Sequence, residues 1–244
     1  MEISTYNIIQ LALVFVLLIF GVYYVISEFF GRSYEPQIWK YNLSKNLIDG
    51  ALFKASKKYK DKGRFFNFWF QTQRLDERRI EGAYAELGVY KGDTAEILHL
   101  MSPDREIHLF DTFEGFTERD LKDETGKAAT YTTHNFADTS VEQVENRLKS
   151  DKFRFHPGYF PKTAEGIEKG RYALVSLDAD LYKPTIAGLE YFYPLMSKGG
   201  IILIHDHKPD WPGIMQAVKE FSSNIDDVFI QLNDKDSTIM MVKD

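Results

Sequence analysis

Hydrophobic positions along this chain fall into three regimes, and each predicts a different kind of element. From position 8 to position 26 the chain is almost wholly aliphatic or aromatic, and no charge stands between Glu2 and Glu28. A helix of about 20 such residues crosses the hydrocarbon core of a bilayer. Tyr6 at one end and Tyr23 and Tyr24 near the other suit the interfacial belts. Residues 33–80 read as helical and linker-like, with an aromatic knot (Phe65, Phe66, Phe68, Trp69, Phe70) expected to pack inside a lid or collar helix. From Gly82 onward short apolar runs alternate with helical stretches. Strands are expected at 83–89, 106–111, 153–156, 172–177 and 201–205. Helices are expected at 93–101, at 140–149 behind a capping box of Ser140 and Gln143, and at 184–196 and 212–221, both opened by proline.

This rhythm predicts an α/β fold, a Rossmann-like doubly wound sheet of about seven strands. The runs 228–232 and 238–242, joined by Asn233-Asp234-Lys235-Asp236, read as a closing antiparallel hairpin. Such a hairpin favours the methyltransferase variant of the fold over the dehydrogenase one. Three regions follow: 1–32 as a membrane anchor, 33–80 as a helical linker or collar, and 81–244 as the catalytic domain. Residues 113–139 form a long polar loop with little periodicity, a length at which loops carry function or move.

Charge refines the picture. The 244 residues carry a net charge of −6, which supplies no basic field for nucleic acid. The absence of cysteine excludes disulfides, thiolate nucleophiles and zinc ribbons. No basic residue precedes the apolar span, whereas Arg32, Lys40 and Lys45 follow it, so the expectation is a single-pass protein with its large domain in the cytoplasm. A cleaved signal peptide fits poorly, because the basic start and the small-residue cleavage site are missing. Lys54, Lys57, Lys58, Lys60, Lys62 and Arg64 suit either anionic headgroups or a solvated face.

The candidate chemistry stands at strand ends, where open α/β sheets hold ligands. The first strand runs into Glu86-Leu87-Gly88-Val89-Tyr90-Lys91-Gly92. Gly88 permits close approach of a ligand, Gly92 permits the turn into a helix, and Glu86 offers a carboxylate to hydroxyl or ammonium groups. The second strand ends in Asp111-Thr112, with an acid placed where ribose hydroxyls are gripped. The strand at 172–177 leads to Asp178 and Asp180, which share a side in extended geometry. The strand at 201–205 ends in His205-Asp206-His207. Together these make an acidic pocket suited to a hard divalent cation, with the histidines as ligands, base or loop residues. His99, His108 and His134 read as structural or surface groups.

In that order, these motifs, with Phe113-Glu114-Gly115-Phe116, Gly158-Tyr159-Phe160 and Lys198-Gly199-Gly200, resemble the macrocin O-methyltransferase-like family over residues 80–244. The resemblance implies dependence on S-adenosylmethionine and Mg²⁺ and methylation of sugar hydroxyls. It implies that Glu86, Gly88, Gly92, Asp111 and Thr112 bind the cofactor. It places Asp178, Asp180 and Asp206 about the metal, with Asp178 or Asp180 free to take the proton; from the strand-end reading His205 joins the candidate ligands and His207 the candidate bases. His205 departs from the family, whose members commonly carry a second aspartate there, and an imidazole tolerates Mn²⁺ better. The implied partner is a small-molecule or lipid-linked sugar acceptor; a homo-oligomer is compatible. The competing readings are a membrane-anchored, metal-dependent glycosyltransferase, on the strength of Asp-x-Asp, and a catalytically silent binding module.

Overall fold

The computed structural model describes residues 4–30, 35–167 and 170–244. The chain forms two compact units, Met1–Leu47 and Ile48–Asp244. The first holds helices α1 (Thr5–Phe30) and α2 (Gln37–Ser44). Within α1 the span Thr5–Ile26 has a mean hydropathy of 2.6 and no buried residue. Its 22 residues, at about 1.5 Å rise each, extend roughly 33 Å, against about 30 Å of bilayer hydrocarbon. Arg32, one of the three residues from which orientation is read, lies outside the described residues.

The second unit opens with α3 (Gly50–Lys58) and α4 (Lys62–Glu77) and continues as an alternating sheet-and-helix domain. In chain order its elements are β1 (Ala83–Leu87), α5 (Asp93–Met101), β2 (Ile107–Asp111), the short α6 (Glu118–Leu121), α7 (Val141–Leu148), β3 (Phe153–Pro157) and β4 (Tyr172–Leu177). There follow α8 (Tyr182–Phe192), β5 (Met196–Ile204), α9 (Pro212–Ser222), β6 (Phe229–Gln231) and β7 (Ile239–Val242). The seven strands lie in the order β3-β2-β1-β4-β5-β7-β6, with β7 antiparallel to both neighbours and the rest parallel. Every residue of β4 is buried, as expected where helices cover both faces of a parallel sheet. Helices α3 and α4 pack on α5, and α8 packs on α9.

The aromatic knot falls on α4, where Phe65, Phe66, Phe68 and Trp69 are buried and Phe70 is exposed. Two expected boundaries move for local reasons. Helix α8 stops at Phe192 and passes into a single 3₁₀ turn, Tyr193–Leu195, because Pro194 cannot continue an α-helix. Strand β5 begins at Met196, and its pairing with β4 slips between Tyr172 and Leu174. The extra residues Ser197-Lys198-Gly199-Gly200 are absorbed there, with Gly199 at φ +79.

Register decides what the strand ends present. Leu87 pairs with Phe110 on one side and Leu177 on the other, and Leu177 pairs with Ile204. The residues that follow, Gly88, Asp111, Asp178 and His205, therefore leave the sheet side by side. They do so at the β1–β4 boundary, where the strand order reverses and a crevice opens.

Candidate active site

A cavity of about 430 Å³ opens at this switch point, a size typical of small-molecule sites. At the end of β1 the backbone turns at Gly88 (φ +91), where a Cβ would lie 2.0 Å from the Asp178 carbonyl oxygen. Glycine is needed there because two strand ends touch, a tighter constraint than the approach of a ligand. Gly92 (φ +80) begins α5 with its missing Cβ facing Val144, and it does not line the cavity. Asp111 holds the intervening loop. Its Oδ2 accepts the N–H groups of Val89 at 2.7 Å and Tyr90 at 2.8 Å, and its Oδ1 accepts that of Phe113 at 2.7 Å. A carboxylate has about four acceptor positions, so one remains for a ligand hydroxyl. Thr112, also in the wall, donates its hydroxyl to the Gly115 carbonyl at 2.6 Å.

Glu86 stands beneath this loop, 2% exposed, with Oε2 unpartnered. Burial pushes its carboxyl well above the usual range; Arg64 opposes the rise, and Asp178 and Asp111 add to it. Neighbouring Tyr59 shares a 2.9 Å hydrogen bond with Thr94, and burial pushes its phenol up to about 12.

The acidic cluster lies alongside. Asp178 accepts a 2.8 Å hydrogen bond from Arg64 Nη1 through Oδ2, and its Oδ1 lies 2.8 Å from His205 Nδ1. Burial would raise the Asp178 carboxyl, but the Arg64 guanidinium and then His205 overcome it and hold the group well below the usual carboxylate range. Asp180 behaves in the opposite way, pushed well above its ordinary value by burial and then by the charges of Asp178 and Asp206. His205 sits 3.2 Å from Asp206 and 3.8 Å from Asp236. Burial works against its protonation, Asp178 outweighs burial, and the imidazole rises to about 10. Lys208 compensates Asp206 at 3.2 Å and Asp236 at 2.5 Å. Asp180 (φ +61) and Asp206 (φ +57) are both left-handed, strain of a kind that concentrates at functional sites.

Asp178, His205 and Asp206 each bring one donor atom within 4.8 Å of the others. The buried Nδ1 of His205 makes no directed hydrogen bond despite its short approach to Asp178. Two carboxylates and an imidazole nitrogen so placed fit a divalent cation such as Mg²⁺ or Mn²⁺, provided His205 gives up the proton it holds between Asp178 and Asp206; the cation would share Asp178 with Arg64 and Asp206 with Lys208.

The 113–139 segment forms the aromatic side of the cavity. Phe116 stacks on Tyr131 at 5.2 Å between centroids, Tyr131 meets Trp211 at 5.6 Å, and Phe136 packs edge-on against Phe116 and Tyr90. The segment is tied down where Glu124 accepts the Tyr182 N–H at 2.7 Å and the Asp210 carbonyl accepts the Lys127 N–H at 2.9 Å.

Of the residues expected from sequence, Glu86, Gly88, Asp111, Thr112, Asp178, Asp180, His205 and Asp206 line this one cavity. His207 does not. The left-handed Asp206 turns the chain after β5, and the His207 ring lies 3.3 Å from Gln231 on the hairpin instead. The headgroup reading of the basic run does not extend to Arg64, which is buried against Asp178, nor to Lys62, whose Nζ donates to the carbonyls of Ser56, Lys57 and Tyr59 at the end of α3. Arg64, Tyr59, Lys208 and Asp236 were not legible as site residues, since they reach the strand ends from α4, from loops and from the hairpin.

Comparison with known proteins places this architecture. The O-methyltransferase NovP superposes with a TM-score of 0.66 over 75% of this chain and 80% of its own, at 22% identity. A calicheamicin methyltransferase superposes at 0.59 over 99% and 94%, at 19% identity. These likenesses show the fold. Among curated relatives, a tetracenomycin-type rhamnosyl 4′-O-methyltransferase of Streptomyces olivaceus is 29% identical over 54% of this chain and 55% of its own. The mycinamicin III 3″-O-methyltransferase of Micromonospora griseorubida is 29% identical over 58% and 61%. The chain thus spans a little over half the length of the curated relatives it matches. The model of the macrocin O-methyltransferases (TylF) matches residues 60–241, the whole sheet with α4 and the site it builds, and so this chain belongs to the macrocin O-methyltransferase family, whose members depend on S-adenosylmethionine.

Proposed function

We propose that the protein methylates a sugar hydroxyl, using S-adenosylmethionine and a divalent metal. The observation that carries this reading is the row of Gly88, Asp111, Asp178 and His205 at adjacent strand ends, with Glu86 Oε2 unpartnered below and Asp180 and Asp206 beside it. Bound S-adenosylmethionine supplies an activated methyl group on a sulfonium, so the protein's task is alignment. Asp111 holds the glycine loop open toward the ribose while Glu86 meets the methionine end. A divalent metal held by Asp178, His205 and Asp206 would lower the pKa of an acceptor hydroxyl. An ionised carboxylate takes the hydroxyl proton as the new C–O bond forms and the S–CH₃ bond breaks; Asp180 fills this role in its ionised form, being a stronger base there than Asp178, which Arg64 holds as its ion-pair partner. Phe116, Tyr131 and Trp211 offer apolar faces to a sugar ring and exclude water.

The named relatives act on sugars of small natural products, which supports a sugar acceptor here. The apolar length of α1 supports a single-pass anchor with the catalytic unit in the cytoplasm, and with it a lipid-linked acceptor. Membership of a methyltransferase family removes the main support for the glycosyltransferase reading.

The test is transfer of a labelled methyl group from S-adenosylmethionine to nucleotide-linked and lipid-linked sugars by the full chain. Turnover lost on chelation and restored by Mg²⁺ or Mn²⁺ is expected; undiminished turnover in chelator would remove the metal from the scheme. Release of the full chain from membranes by carbonate rather than detergent would remove the anchor.

A further inference from the structure

Two buried polar atoms, a guanidinium donor and a carboxyl oxygen, are left without partners in the same cavity: Nε of Arg64 and Oε2 of Glu86. Arg64 is 8% exposed and Glu86 2%. Each is otherwise committed. Arg64 gives Nη1 to Asp178 and lays its guanidinium over the Phe68 ring at 5.5 Å, and Glu86 is hydrogen-bonded to Thr94. An unsatisfied charged group in a protein interior is costly and calls for an explanation, of which a missing ligand is one. The two atoms do not satisfy each other. A ligand that satisfies both must present an anionic acceptor and a cationic donor close together, which is the chemistry of an α-amino-acid zwitterion.

We propose that Arg64 binds the α-carboxylate of the cofactor's methionine moiety through Nε, opposite Glu86, which takes the ammonium group. This rests on the methyltransferase reading and adds to it a residue from outside the strand-end motifs. The backbone fixes Arg64 in place. Asp61 accepts the Arg64 N–H at 3.0 Å and the Lys235 N–H at 3.1 Å, while Asn67 donates to Asp234 at 3.1 Å. A Cβ on Gly63 would lie 2.9 Å from Asp234 Cα, so α4 rests directly on the hairpin loop. Because Nη1 of the same guanidinium holds Asp178, one cation serves both the cofactor carboxylate and the acidic cluster. Arg64 thereby links cofactor occupancy to the geometry of Asp178.

Calorimetry on the full chain in detergent tests this with three ligands: S-adenosylmethionine, its decarboxylated analogue, and 5′-methylthioadenosine, which lacks the amino acid. On the wild type the decarboxylated analogue should bind about 10- to 100-fold more weakly than S-adenosylmethionine, the loss expected for one charge-assisted hydrogen bond. Arg64→Met should weaken S-adenosylmethionine by a similar factor and leave the other two unchanged. Arg64→Lys should also fail to restore tight binding, since an ammonium cannot reproduce the two-sided fork. Equal affinity of the wild type for S-adenosylmethionine and its decarboxylated analogue would overturn the assignment without touching the proposed function, and needs no variant. A uniform loss for all three ligands in Arg64→Met would reduce Arg64 to a structural role. A wild type that binds none of them would overturn the methyltransferase reading itself.

Discussion

The strand ends on the two sides of the switch point solve the same problem by different means. At β1 and β2 the charge is met by main chain: Asp111 accepts three backbone N–H groups and thereby sets the glycine loop. At β4 and β5 the charges are met by side chains, with Arg64 and His205 on Asp178 and Lys208 on Asp206, and two aspartates are left-handed. The first half is built from local hydrogen bonds that any ligand finds ready. The second is a balance of charges drawn from α4 and the hairpin, which a single neutralisation disturbs. A rigid, locally hydrogen-bonded half thus stands beside a half held by long-range charge balance.

Substitutions that separate the halves should rank accordingly in stability. Asp178→Ala strands the buried Arg64 and His205 charges, and unfolding free energy from urea titration should fall by about 3–5 kcal/mol. A fall below about 1 kcal/mol would mean that the charges on that side are not interdependent. Asp111→Ala frees three loop N–H groups and should cost on the order of 1–3 kcal/mol, with S-adenosylmethionine affinity falling at least about tenfold. Asp111→Asn, which keeps one carbonyl acceptor, should retain part of both. Asp180→Asn replaces a carboxyl that is already pushed toward its neutral form, so stability should change by no more than about 0.5–1 kcal/mol while turnover drops about 100-fold and cofactor affinity holds. Unchanged turnover would take the proton-accepting role from Asp180.

The smallest effect should come from a histidine pair on β2 and β3 that does not line the cavity. His108 Nδ1 and His156 Nε2 lie 3.0 Å apart across β2 and β3, and burial, reinforced by His108, lowers His156 to about 4. The unfolded chain takes up this proton near pH 6.5, the folded chain only near 4. The stability that neutral His156 contributes is therefore complete above about pH 6.5 and lost as pH falls toward 4. The urea midpoint of His156→Gln should decline less steeply than the wild type's across that window. Parallel declines would show that the ring protonates without penalty.

Most of the sheet was legible because its signals are local. An apolar run closed by glycine or an acid marks both a buried strand and its end, and for β1, β2, β4 and β5 those ends are where the chemistry lies. The site was legible only along those same runs. His207 was read as a candidate base from its place at the end of β5, but the left-handed Asp206 turns the chain before it. Arg64 was hidden inside a basic run whose other members, by composition alone, look identical to it. Only the packing of α4 distinguishes a guanidinium that enters the cavity from lysines that stay near the surface. The role of Gly88 was half read: the need for glycine showed in the motif, but the Asp178 backbone that enforces it lies 90 positions along the chain.

The clamp between α4 and the hairpin loop has a consequence for how the protein is made. Asp61 bonds Lys235 and Asn67 bonds Asp234, so residues of α4 and its N-cap wait for partners that emerge 174 and 167 positions later. Contacts of such long sequence separation form late and slowly. A chain interrupted before the hairpin would still hold β1, β2 and β4 and could pack α4 on α5, yet the hairpin side of α4 would be without its partner and Arg64 without that anchor. Docking of the hairpin loop on α4 would then be the event that completes the cavity around Arg64.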